Sequence, residues 1–87
     1  MTERTFRARI DVRLDAAVND PQGNAVREGL RSLGHDDVRD VRVGKIVELT
    51  LTAADEAAAR ERAERMCAEL LANPIIESYE LELTEVG

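Results

Sequence analysis

The sequence predicts an α+β domain in which an antiparallel sheet carries helices, and three observations lead to it. From Thr5 to Leu14 apolar and charged residues alternate without a break. Two stretches, 20–34 and 55–72, place apolar residues at helical spacing between start and stop signals. Odd-numbered aliphatic residues then recur at 41–51 and 75–83 with the two-residue period of further strands.

The first strand is the clearest element. Phe6, Ala8, Ile10, Val12 and Leu14 form one face, and Arg7, Arg9, Asp11 and Arg13 the other. Residues 15–19 connect it to Asp20-Pro21, where a carboxylate can cap a helix and proline takes the first helical position, at which its missing N–H costs nothing. The first helix presents Val26, Leu30 and Leu33, has Gly29 beside them for close packing, and stops at Gly34.

Between Val38 and Thr52 the apolar residues Val41, Val43, Val47, Leu49 and Leu51 all fall at odd positions around Gly44-Lys45. A two-residue turn would put the last three on the wrong face, whereas a three-residue loop pairing Val43 with Val47 keeps all five together. The alternative is one long bent strand that crosses a subunit interface. Thr52-Ala53-Ala54-Asp55 resembles a capping box ahead of an alanine-rich second helix running to about Ala72. Its inner face reads Ala59, Ala63, Met66, Cys67 and Leu70, with Glu61 and Arg65 paired outside. Asn73-Pro74 ends it. A last strand sets Ile75, Tyr79, Leu81 and Leu83 against Ser78, Glu80, Glu82 and Thr84. The order β-α-β-β-α-β reads most simply as a ferredoxin-like antiparallel sheet with two helices on one face, one domain over 1–87.

Composition excludes several function classes. A chain of 87 residues has a thin core, so self-association would help it. Phe6 and Tyr79 are its only aromatics, too few for a stacking platform, and a net charge of −6 repels phosphate backbones; no nucleic-acid partner is expected. The start lacks an apolar signal region and no apolar run nears a membrane span, so a cytoplasmic protein without membrane contact is expected. Cys67 stands alone and there is one histidine, which fits a reducing compartment and provides no zinc ligand set.

A search for chemistry returns packing and surface roles. His35 lies in a polar loop beside Asp36 and Asp37, with no nucleophile or substrate proton in reach. Cys67 falls on an apolar helix face, where a thiol is usually inert. Gly44-Lys45 leads into a strand, whereas a P-loop needs a longer glycine-rich run leading into a helix. At Pro21-Gln22-Gly23-Asn24 the helix start is already capped by Asp20. No catalytic, cofactor or metal residues are expected, and the reading is a subunit that acts by docking.

Three segments carry a family resemblance: Asp20-Pro21-Gln22-Gly23; Val41-Arg42-Val43-Gly44-Lys45 leading into Glu48-Leu49; and Cys67-Ala68-Glu69-Leu70-Leu71-Ala72-Asn73-Pro74-Ile75-Ile76-Glu77-Ser78-Tyr79. In this order, over nearly the whole chain, they resemble the PurS family, the small subunit of phosphoribosylformylglycinamidine synthase. The resemblance implies a non-catalytic role in purine biosynthesis, bridging a glutaminase subunit and a large synthetase subunit so that ammonia passes between them. ATP and magnesium would be bound by the synthetase subunit, with no cofactor in this chain. It also implies self-association as a dimer or tetramer. The candidate interface residues are Asp20, Pro21, Gln22, Gly23, Gly44, Lys45, Asn73, Pro74, Glu77 and Tyr79, which fall at loops and element ends. The alternative function is an amino-acid-sensing regulatory module of similar fold.

Overall fold

A computed structural model describes residues 3–86. The elements are β1 (Arg4–Leu14), α1 (Pro21–Ser32), β2 (Lys45–Ala53), α2 (Glu56–Met66), a π-helical turn (Cys67–Leu71) and β3 (Glu77–Val86). They form one antiparallel sheet in the order β2-β1-β3. The long alternating run became the central strand, whose even-numbered side chains all point to one face. Phe6, Ala8, Ile10 and Val12 are at most 1% exposed. Register aligns the parity of the neighbours with it: Ile10 stands between Val47 and Leu81, and Ala8 between Leu49 and Leu83.

Helix α2 covers this face through small residues. Ala59, Ala63 and Cys67, four apart, are fully buried, and their size lets the helix axis approach the sheet closely. Asp55 caps the helix, its carboxylate accepting from the Ala58 N–H at 2.8 Å. The capping pattern expected at 52–55 is thus displaced by three residues, because Thr52 belongs to β2, opposite Thr5. Beyond Met66 the hydrogen bond from the Ala72 N–H reaches the Cys67 carbonyl, five residues back, at 2.9 Å. This wider turn carries Ala72 into the core and turns Leu70 out. Leu70, expected inside, is 84% exposed.

Elsewhere the fold departs from the expected arrangement. The segment 38–44 has no strand pairing, so the described residues form three strands where four were expected; nor does Gly44-Lys45 make a reverse turn. The hairpin pairing of Val43 with Val47 is absent, since β2 is paired with β1 throughout. Likewise only α2 packs on the sheet. Helix α1 is fastened at its first turn, where Gly23 is its one buried residue, and its apolar stripe stays open, with Leu33 78% exposed. Ile75 lies in the turn before β3, outside the strand face to which its parity assigned it. Gly34 does stop α1 in the left-handed region, at φ 102°.

The result is long and thin, 59 × 28 × 14 Å. Its radius of gyration is 17.2 Å, against roughly 12 Å for a compact chain of this length.

Candidate docking site

The three segments that carry the resemblance meet at one end of the sheet. The pairing brings them there: Val12 is opposite Lys45 on one side and Tyr79 on the other, and Leu14 is opposite Glu77. The start of α1 arrives at the same end through Asp20, which is 4% exposed. One Asp20 oxygen accepts from the Gly23 N–H at 2.8 Å, capping α1; the other accepts from the Val43 N–H at 2.8 Å. A single carboxylate therefore ties the helix start to the segment that leads into Lys45. Arg42 adds a second tie across the β1–α1 connection, donating to the carbonyls of Val18 at 2.9 Å and Asp15 at 2.8 Å.

The N–H of Val43, then that of Gly23, then the nearby Arg42 charge hold the Asp20 carboxyl below the ordinary carboxylate range. The stabilisation this gives is complete above the unfolded pKa of about 4 and is lost as pH falls through the lower folded value. The two glycines here are steric requirements. A Cβ on Gly23 would overlap the Val41 carbonyl oxygen, and one on Gly44 would lie 2.8 Å from the Val12 carbonyl oxygen.

Asp20, Gln22, Gly44, Lys45 and Glu77 line a small cleft of about 170 Å³. Glu77 and Tyr79 extend to a neighbouring cavity of about 330 Å³, with Pro74 on its rim and Cys67 on its wall. On the other side, Arg13, Arg42, Lys45 and Ile46 line a wider groove of about 710 Å³. Arg13 and Ile46, absent from the sequence-based set, reach this groove from strand positions whose location only the register reveals. Asn73 is a turn-builder: its backbone N–H donates to Glu77 at 2.7 Å and its side chain accepts from the Ile75 N–H at 3.1 Å. Pro21, Gln22, Lys45, Pro74 and Tyr79 remain exposed, while Asp20 and Gly23 are buried.

Cys67 is wholly buried, and burial, then Glu64, pushes its thiol pKa up, away from the reactive thiolate. Cys67→Ala is expected to cost about 1 kcal/mol in a denaturant titration and to leave supported turnover intact. Folded, assembled but inactive protein would make the thiol a participant in chemistry. His35 lies exposed in the loop after α1. Among the described residues no three His, Cys, Asp or Glu side chains converge as metal ligands, and no helix is long and apolar enough to cross a membrane.

The family profile described as PurS, phosphoribosylformylglycinamidine (FGAM) synthase, matches residues 7–85. Over 80 residues the chain is 50% identical to the phosphoribosylformylglycinamidine synthase subunit PurS of Synechocystis sp., covering 92% of this chain and 80% of that one. Against the Bacillus subtilis subunit it is 41% identical over 84 residues, covering 93% and 95%. Among solved structures it is similar to B. subtilis PurS, with a TM-score of 0.81 at 39% identity over 92% of this chain and 99% of that one. It is also similar to a chain in the structure of PurLQS from Thermotoga maritima, with a TM-score of 0.80 at 34% identity over 94% and 98%. On a family profile that spans almost the whole sequence, and on relatives this similar, the chain belongs to the PurS family of phosphoribosylformylglycinamidine synthase.

Proposed function

We propose that this chain is the bridging subunit of phosphoribosylformylglycinamidine synthase in purine biosynthesis, joining a glutaminase subunit to a synthetase subunit. The observation that carries this reading is the near full-length similarity to a chain of the T. maritima PurLQS structure. The reaction converts formylglycinamide ribonucleotide, glutamine and ATP into the amidine, glutamate, ADP and phosphate. ATP and magnesium act in the synthetase subunit, glutamine is hydrolysed in the glutaminase subunit, and this chain places the two so that ammonia is handed over without dilution. The family match favours this reading over the amino-acid-sensing module. A cytoplasmic location accords with it.

Self-association belongs to the same proposal. The flat, extended shape, the open α1 stripe and two sheet edges that pair with no strand among the described residues leave apolar surface that a second copy can cover. Sedimentation equilibrium at micromolar concentration is expected to give a dimer or larger; a monomer would remove this part. In sedimentation velocity the chain is expected to move with the synthetase and glutaminase subunits as one boundary. Three separate boundaries would overturn the bridging role.

A further inference from the structure

The chain exposes more surface than its size requires. Its accessible area is 6272 Å², against roughly 5,100 Å² for a compact monomer of this mass, a surplus of about 1,200 Å². A standard interface covers about 800 Å² on each partner, so the surplus is of the size that a stable pair conceals. The shape locates it. With 11 residues β1 spans roughly 36 Å, whereas the molecule is 59 Å long. The difference is close to the roughly 18 Å of the 12-residue α1, which therefore projects past the end of the sheet. Helix α1 is one limb of an arm, and the return segment 38–44 is the other. The arm is tied at its base by the Val43 N–H donating to Asp20 at 2.8 Å, and further out by the Arg31 Nε–H donating to the Val38 carbonyl at 3.1 Å. The Val41 carbonyl lies against Gly23 and fixes the angle at which the arm leaves. Folding α1 back over its own sheet would break these ties.

Each chain thus carries two apolar surfaces without a cover. On α1, Val26 and Leu33 are 42% and 78% exposed and Leu30 is half-buried. At the end of the sheet from which the arm leaves, Cys67, Ala68, Ala72, Pro74 and Tyr79 line the cavity of about 330 Å³. Ser78 and Glu77 complete its wall, the Glu77 carboxylate accepting from the Asn73 N–H. Ile75, next to Pro74, is 84% exposed. We propose that a second copy of this chain covers both surfaces: two chains meet end to end about a twofold axis, and each α1 lays its stripe of Val26, Leu30 and Leu33 over the Tyr79 face of the other. The occupant follows from reciprocity. One chain has a helix without a sheet face and a sheet face without its second helix, and a twofold axis supplies each from the other in a closed pair. This rests on the self-association above and adds the surfaces that meet. It also accounts for the helix layer, in which one chain alone fills only one of the two expected places. Asp20 and Gly23 become positioning residues that hold the arm out toward the second copy.

The test is complementation between a helix variant and a face variant, read by sedimentation equilibrium on this chain alone. Leu33→Lys charges the stripe and suits a helix C-terminus, and Tyr79→Glu charges the face. Each variant alone is expected to raise the dimer dissociation constant on the order of 100-fold, since it buries an unpaired charge twice in every pair. Its circular dichroism spectrum is expected to stay that of the wild type. An equimolar mixture of the two is expected to associate within about tenfold of the wild type, because a mixed pair keeps one unaltered contact and brings the two introduced charges, of opposite sign, together in the other. Where Tyr79→Glu alters the spectrum, Ile75→Glu takes its place at a site too exposed to disturb the fold. An effect from only one of the two surfaces, or from neither, would overturn the proposal and leave self-association standing. So would two monomeric variants whose mixture stays monomeric. Variants that keep the dimer but lose affinity for the synthetase or glutaminase subunit would assign the surfaces to that subunit and overturn the proposal likewise. A wild-type monomer would strike self-association itself.

Discussion

Omitting this chain is expected to reduce glutamine-dependent amidine formation by the two larger subunits on the order of 100-fold, while a high concentration of ammonium chloride restores part of the turnover. Both results follow if its contribution is positional. Holding two sites together makes the local ammonia concentration an effective molarity that free subunits cannot reach. Mass action can substitute for position, but it cannot substitute for a missing catalytic group. The assay compares both nitrogen donors, with and without the chain, at a pH where free ammonia is appreciable. A requirement for the chain with both donors would mean that it also shapes the synthetase active site. Product formed by the chain alone would overturn the assignment.

Gly23→Ala is expected to destabilise the fold by about 2–3 kcal/mol, lowering Tm on the order of 10 °C, whereas Gly29→Ala six residues along the same helix is expected to stabilise it by roughly 0.5–1 kcal/mol. The difference lies in what the new methyl group meets. At Gly23 it overlaps the Val41 carbonyl oxygen and comes within 2.9 Å of the Asp20 carboxylate. Neither can yield without pulling the first turn of α1 away from the segment it is stapled to, which breaks the hydrogen bonds to Gly23 and Val43 together. At Gly29 nothing lies within 4 Å, and the substitution only improves helix propensity. Thermal melts of both variants at one fixed chain concentration check this, since association also moves Tm. Equal, small shifts would mean that α1 is not held where Gly23 places it.

What the sequence disclosed depended on whether the signal was local. The parity of β1, that of Tyr79, Leu81 and Leu83 in β3, the Asp20-Pro21 start and the Gly34 stop are each decided within a few residues, and the structure has all of them. Val41 and Val43 also carry strand parity, but a strand needs a partner backbone, and the Val43 N–H is instead taken by the Asp20 carboxylate. The placement of α1 was likewise hidden. Its stripe of Val26, Leu30 and Leu33 shows that it has an apolar face without showing what that face meets. Leu70 lies outside the face that uniform 3.6-residue spacing assigns it, because the turn after Met66 takes one residue more. At the site, the resemblance picked out Asp20 and Gly23 together with Lys45, yet nothing in a linear sequence separates a residue left exposed from one that holds a neighbouring segment in place. Burial and two hydrogen bonds made that distinction.

The π-helical turn bears on which changes in length this fold can absorb. Buried small residues descend α2 at Ala59, Ala63 and Cys67, and the next one inward is Ala72, a step of five after two steps of four. Removing one residue between Cys67 and Ala72 would turn that step into another four, leaving the same small side chains against the sheet and an ordinary α-helical hydrogen bond in place of the long one. The turn is thus equivalent to an α-helix that has taken up a single inserted residue as an outward bulge. A strand has no such reserve. One residue added to β1 would exchange its two faces and bring Arg7, Arg9 and Arg13 to the side now held by Phe6, Ala8, Ile10 and Val12. Lineages descended from a chain like this one can therefore vary in length at the end of α2, while the central strand keeps its count.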